Sequence, residues 1–253
     1  MAQRYFMRLA YRGAEFHGWQ RQPNDISVQQ ILEEKLAMVC GLKDPVAVTG
    51  AGRTDAGVNA SMMVAHFDLD RPLKDEAQLV RALNAVVGKD IAVSRIVKVA
   101  SDAHARFDAI GRTYHYYAVD EKNPFVYPLT WKAPSGLDYE RMNEAAALLL
   151  DVDDFTSFAK LHTDVKTNIC NVMRAEWVPV SETNGHIFII KADRFLRNMV
   201  RAVVGTLVEV GRGKMSVEQF RGVIEARNRC MAGNSMPPEA LFLHDVEYPY
   251  PLW

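Results

Sequence analysis

Arg4-Tyr5-Phe6-Met7-Arg8-Leu9-Ala10-Tyr11-Arg12 decides the fold class of this chain. Tyr5, Met7, Leu9 and Tyr11 alternate with Arg4, Arg8 and Arg12. This is the period of a strand with one buried face and one basic face, the habit of antiparallel sheet. Downstream, Ser27 opens a helix as N-cap, with Gln30 completing a capping box. Val28, Ile31, Leu32, Leu36 and Val39 follow at helical spacing, and Gly41 stops them. A strand near Val46–Val48, a second over Met62–Leu69, a helix over Ala77–Val87 and a strand over Ile91–Val99 complete the first half.

The second half repeats this grammar. Arg112–Val119 reads as an aromatic-rich strand and Tyr139–Leu150 as a helix. Val172–Val180 and Ile187–Ala192 read as a hairpin whose loop holds Asn184-Gly185. Phe195–Val210 and Val217–Arg227 are expected helices, and Leu241–Tyr248 a closing strand. Strands and helices mix without strict βαβ alternation, so the expected class is α+β with largely antiparallel sheet. A seam near Ser101–Ala103 divides an N-terminal half, 1–103, from a C-terminal half, 104–253.

The chain's 253 residues are enough for one large domain or two ordinary ones. Its 30 Lys+Arg against 31 Asp+Glu leave a net charge of -1, which is silent about nucleic acid unless a basic face is segregated. Cys40, Cys170 and Cys230 are far apart and form no CxxC pair, as expected of reduced core thiols in a cytoplasmic protein. Met1–Gly13 lacks the apolar core of a signal peptide. No apolar run reaches membrane-spanning length, so no membrane is expected.

The chemistry centres on Gly50-Ala51-Gly52-Arg53-Thr54-Asp55-Ala56-Gly57-Val58. Asp55 in such a loop is either a turn residue or a nucleophile or base kept ionised by an arginine. The segment has neither a Walker ending nor the spacing of a dinucleotide fingerprint. Arg194, Arg197 and Arg201 stand three and four apart. On a helix they share one face, suited to phosphates or to a carboxylate needing a partner. Their alternative is a solvated charged face, with Arg212 and Lys214 beyond it. Along Arg112-Thr113-Tyr114-His115-Tyr116-Tyr117 a strand sends Tyr114 and Tyr116 to one face and His115 and Tyr117 to the other. One such ring either fills the core or stacks on an unstacked base. His17-Gly18-Trp19-Gln20-Arg21-Gln22 is a polar-aromatic loop whose Trp19 plugs the core or, with Arg21 and Gln22, touches RNA. The seven histidines show no ligand spacing, so no metal is expected.

Together these segments closely resemble the tRNA pseudouridine synthase A family. The matching stretches are Tyr11-Arg12-Gly13 with Phe16–Gln22, Gly52–Val58, His104-Ala105-Arg106-Phe107, Arg112–Tyr116, Asp154–Phe158, and Met199-Val200-Arg201 with Val204–Leu207, in the family's order. The resemblance covers nearly the whole chain. It implies two similar ferredoxin-like halves sharing a continuous sheet with a central basic cleft. It implies a homodimer that needs no cofactor and isomerises uridine to pseudouridine at positions 38, 39 and 40 of the tRNA anticodon stem-loop. Carried over residue by residue, Asp55 is catalytic, Tyr114 stacks on the target base, Arg201 pairs with Asp55, and Leu241 and Arg53 line the substrate site. Arg21, Gln22, Arg106, Arg194 and Arg197 are the expected RNA contacts. Two positions depart from the pattern: Asn59 stands where His is usual, and Ala240 where Gly precedes the pocket leucine. Asparagine keeps hydrogen bonding but does not titrate near neutrality.

The chemistry suits these residues. A stacked uracil is out of reach and must be flipped out. The carboxylate then either attacks the anomeric carbon, as in retaining glycoside cleavage, or removes a proton from the sugar. The rival readings are an RNA-binding protein without catalysis, a glycoside hydrolase, and a pseudouridine synthase acting on another RNA.

Overall fold

The opening alternation forms the strand it predicts, β1 (Gln3–Tyr11), in a computed structural model that describes residues 2–160, 167–181 and 184–253. After α1 (Val28–Cys40) come β2 (Val48–Gly50), β3 (Asn59–Leu69), α2 (Glu76–Asn84) and β4 (Ile91–Lys98). Then follow β5 (Gly111–Val119), β6 (Trp131–Lys132), α3 (Tyr139–Ala147), β7 (Val172–Val180) and β8 (Gly185–Ala192). The helices α4 (Met199–Gly211) and α5 (Val217–Glu225) and the strand β9 (Leu241–Glu247) complete the chain. The described residues thus give nine strands and five α-helices, an α+β fold whose strand pairing is largely antiparallel.

The chain divides into two compact units, Met1–Ile110 with Leu243–Trp253, and Gly111–Phe242. The seam therefore lies beyond the expected 103/104, and the C-terminal segment returns to the first unit. Side-chain hydrogen bonds explain why. His66 Nδ1 accepts the Ala105 N–H at 3.1 Å, and Arg4 donates to the Ala103 carbonyl at 3.0 Å. The hydroxyls of Tyr248 and Tyr250 close on the Ala105 carbonyl and on Asp108, at 2.6 and 2.7 Å.

In the first unit β1 pairs antiparallel with β3 and β4, and β2 with β3. Tyr5, Met7, Leu9 and Tyr11 are buried as the alternation requires, and Phe6 joins them. The opposite face is less basic than its sequence. Arg4 is paired with Asp68 at 2.7 Å and Arg12 with Asp90 at 2.8 Å. Ser27 caps α1 by accepting the Gln30 N–H, but the Gln30 side chain turns away to Glu34, so the expected capping box is half made.

In the second unit β5 and β7 flank β8 in antiparallel register. Asn184 precedes β8 in left-handed backbone geometry, but Gly185, expected in the loop, is the first residue of the strand and pairs with Val180. The two-residue β6 adds a parallel edge to β5 that no periodicity announced. Ser216 and Gln219 close a full capping box on α5. Helix α3 packs on α4, α5 and β7. Its core-facing side buries Met142, Ala145 and Ala146.

Candidate active site

The Asp55 loop is fixed by local chemistry. Leaving β2, Ala51 donates its N–H to the Val64 carbonyl at 2.8 Å. The Thr54 carbonyl accepts from Trp19 N–H, and its hydroxyl meets the Tyr11 hydroxyl at 2.8 Å. Val58 N–H closes a turn on the Asp55 carbonyl at 3.2 Å, and Gly57 N–H bonds to the Phe16 carbonyl. The Gly13–Trp19 segment therefore holds the loop from outside. Trp19 is only 2% exposed, and its indole lies where a Cβ on Gly50 would sit, so it is a core plug rather than an RNA contact. On this support Asp55 is half-buried and Arg53 exposed.

Asn59 is part of the same support. Only 1% exposed, it accepts the Gly13 N–H on Oδ1 at 2.8 Å. This bond satisfies a buried backbone donor and needs no titrating group. Asn59→Ala is expected to cost about 1–3 kcal/mol, the penalty for a buried N–H without a partner. A urea midpoint shifted by that amount checks it; an unmoved midpoint returns Asn59 to the chemistry.

Arg21 and Gln22 are engaged within the protein. Arg21 contacts Glu33 at 3.1 Å and Glu34 at 4.0 Å, and Gln22 donates to the His17 carbonyl at 2.8 Å. A cavity of about 600 Å³ follows this segment, lined by Arg21, Gln22, Asn24 and Gln30 among others, and Asp55 is not part of its wall. Arg106 places its guanidinium 5.9 Å from the centre of the Phe107 ring.

His66 carries a pH signature. Burial, aided by the nearby Arg4 charge, lowers its pKa to about 4 from the ordinary 6.5. The folded state keeps it neutral, with Nδ1 as an acceptor, while the unfolded chain takes up a proton near 6.5. This contribution is complete above about pH 6.5 and is lost as pH falls toward 4; linkage bounds it at about 3 kcal/mol. Urea midpoints measured across that window should therefore fall more steeply for wild type than for His66→Asn, and parallel curves contradict the assignment.

In the second unit β5 distributes its rings as expected. Tyr116 is fully buried, and Tyr114, 7% exposed, meets Phe195 edge to face at 5.0 Å. On the other face His115 contacts the Tyr117 hydroxyl, and Tyr117 meets Phe242.

The arginine cluster differs from its expected form. Helix α4 begins at Met199, so Arg194 and Arg197 lie in the irregular segment before it and do not share the helix face of Arg201. Asn198 explains the break. It occupies the N-cap at φ 66°, a left-handed backbone that helix cannot continue through. Upstream, Asp193 Oδ1 accepts the N–H groups of Asn171 and Arg194 and sets the turn. Arg212 and Lys214 lie 3.1 and 3.9 Å from Glu209, as surface ion pairs do.

Arg201 organises the segment leading to Leu241. Its Nε donates to the Met236 carbonyl at 2.5 Å, and Met236 N–H bonds back to the Arg201 carbonyl. Arg229 donates to the Gly233 carbonyl and to Ser235, which also accepts from Asn198. A Cβ on Gly205 would lie 1.8 Å from the Asn234 carbonyl, so only glycine lets this segment cross α4. Asn198, Arg229, Ser235 and Met236 were not expected around Arg201. Leu241 and Leu243 both bury on the same side of β9.

Of the cysteines, Cys170 is buried, Cys40 half-buried and Cys230 exposed, all as free thiols, so only Cys170 is a core residue. No group of three or more His, Cys, Asp or Glu is placed to hold a metal ion among the described residues; His162 lies outside them. No described helix is long and apolar enough to cross a membrane.

Known proteins resemble this chain over nearly its whole length. The profile of a family described as tRNA pseudouridine synthase matches residues 9–108 and 145–249. The chain is 55% identical to the tRNA pseudouridine synthase A of Parabacteroides distasonis over 99% of its length and 98% of the relative's. Against the protein of that name from Porphyromonas gingivalis it is 54% identical, over 99% of each chain. For that of Exiguobacterium sibiricum the figure is 35%, over 97% of each.

Proposed function

This chain belongs to the tRNA pseudouridine synthase family, and on that premise we propose that it isomerises uridines 38, 39 and 40 of the tRNA anticodon stem-loop, with Asp55 as the reacting carboxylate. The observation that carries this reading is the Asp55 loop, whose backbone is bonded on both sides and which holds a half-buried carboxylate within the family match. Arg53, Arg201 and Leu241 fall within the same match. Tyr114 falls outside the profile but inside the near full-length alignment with the Parabacteroides protein.

The reaction breaks the bond between ribose C1′ and uracil N1, turns the base, and joins C5 to C1′. The C5 proton leaves and N1 gains one, so atoms balance without a co-reactant. Asp55 either attacks C1′ or takes a proton from the sugar. Tyr114 stacks on the detached base and keeps it from diffusing away, a contact of roughly 1–3 kcal/mol. Arg201 is the charge partner that the resemblance assigns to Asp55, and its bond to Met236 supplies a rigid base for that role. Excluding water protects the detached base from hydrolytic loss. In this reading Arg194, Arg197, Arg106, Arg21 and Gln22 meet the tRNA backbone, the enzyme works as a homodimer, and its compartment is the cytoplasm.

Mapping pseudouridine on an unmodified tRNA transcript incubated with the purified protein tests the substrate. Modification confined to the anticodon stem-loop is the expected result. Pseudouridine formed only elsewhere assigns the enzyme to another site.

A further inference from the structure

The loop His104–Asp108 is bonded far more densely than its exposure requires. His104 N–H donates to Asp108 Oδ2 at 2.8 Å, and Asp108 N–H returns to the His104 carbonyl at 3.0 Å. His104 Nδ1 accepts the N–H groups of both Arg106 and Phe107, at 3.1 and 3.2 Å. Ala105 is held at both ends of its peptide, by His66 and by the Tyr248 hydroxyl. Tyr250 adds a bond to the Asp108 carboxylate. Polar side chains from β3, from the loop itself and from the C-terminal segment thus fix a single turn.

What this turn presents is an aromatic ring. Phe107 is 75% exposed, so most of its ring faces outward from a rigid turn. The imidazole of His104 stacks behind it, with ring centres 4.2 Å apart and planes at 28°, and the Arg106 guanidinium stands 5.9 Å from its centre. His104 in turn meets His66 edge to face at 4.6 Å. A flat, largely exposed ring, backed by a second ring, with a cation 5.9 Å over it and pre-ordered by its backbone, is the equipment that binds unstacked bases in single-stranded nucleic acid. The ordering lowers the entropy cost of binding.

We propose that Phe107, with Arg106 beside it, is a stacking platform for an unpaired nucleobase of the bound tRNA, distinct from the uridine that reacts. The inference rests on the reading of this chain as a tRNA-modifying enzyme. Its mount is separate from that of Asp55: His66 lies six residues along β3 from Ala60, the strand partner of Tyr11, whose hydroxyl meets Thr54 beside Asp55, and six residues of strand span about 20 Å. His66, His104 and Asp108 are positioning residues, because they touch the loop and not the base.

Phe107→Ala, Phe107→Trp and Arg106→Gln, each at an exposed position, test this with a tRNA transcript. Phe107→Ala is expected to raise the Kd for tRNA and the KM by roughly 5- to 150-fold, the value of one stacked base. The saturating rate should stay within about twofold, and Phe107→Trp should restore affinity. Arg106→Gln should weaken binding less and reduce its salt dependence. Unchanged Kd and KM in Phe107→Ala overturn the proposal. So does a changed oligomeric state in sedimentation without a change in affinity, which would make the ring a contact between copies of this chain. A wild-type protein that forms no pseudouridine would overturn the functional reading itself, whereas an active wild type with an indifferent Phe107 overturns only the platform.

Discussion

Asp55→Asn is expected to lower the single-turnover rate of pseudouridine formation by at least about 10⁴-fold while leaving the Kd for tRNA within about threefold of wild type. Asparagine keeps the shape of aspartate but can neither attack the anomeric carbon nor accept a proton from the sugar. The loop should survive the change, since its described bonds run through the backbone: Val58 N–H to the residue 55 carbonyl, Trp19 N–H to the Thr54 carbonyl, and Gly57 N–H to the Phe16 carbonyl. Binding and chemistry therefore separate. Filter binding measures one and rapid-quench kinetics the other. A variant that still turns over near the wild-type rate returns Asp55 to the status of a turn residue.

Gly18→Ala should damage stability and rate together. Gly18 adopts φ 87°, where an L side chain costs about 1–2 kcal/mol. An added Cβ would also lie 2.3 Å from the Thr54 carbonyl and 3.2 Å from the Asp55 carbonyl carbon. Backbone meets backbone there, so relief requires the loop to move, and a total loss of about 2–4 kcal/mol is expected. The movement falls on the segment carrying Asp55, the proposed reacting carboxylate. A displacement near 1 Å at such a group costs up to about 100-fold in rate, so the single-turnover rate should fall by roughly 10- to 100-fold at saturating tRNA. Urea unfolding and rapid quench on one preparation check both. Wild-type values in both would show that Gly18 does not clamp the loop.

Local chemistry made much of the fold legible from sequence. The alternation at Tyr5–Tyr11 and the Ser27 cap act within a few residues of themselves, and each formed where its signal stood, whereas Gly185 joined β8 rather than the loop before it. The arginines show where such reasoning fails. A spacing of three and four fits a helix face, but one residue between Arg197 and Arg201, Asn198, takes a left-handed backbone and starts the helix after itself. Asparagine's tolerance of that geometry and its preference for N-caps were the available signals, outweighed by apolar periodicity. Trp19, Asn59 and Arg201 were ambiguous for another reason. Their partners, Gly50, Gly13 and Met236, lie 31 to 46 residues away, and no periodicity encodes a contact at that range. Phe107 was visible only as part of a motif, because exposure and a rigid mount are properties of the folded chain.

The most direct measurement uses tRNA labelled with tritium at uracil C5, incubated with the purified chain alone and followed by nucleoside analysis. One tritium released to solvent for each pseudouridine formed, with no free uracil, is the expected result. Absence of release, or release accompanied by free uracil in place of pseudouridine, would contradict it.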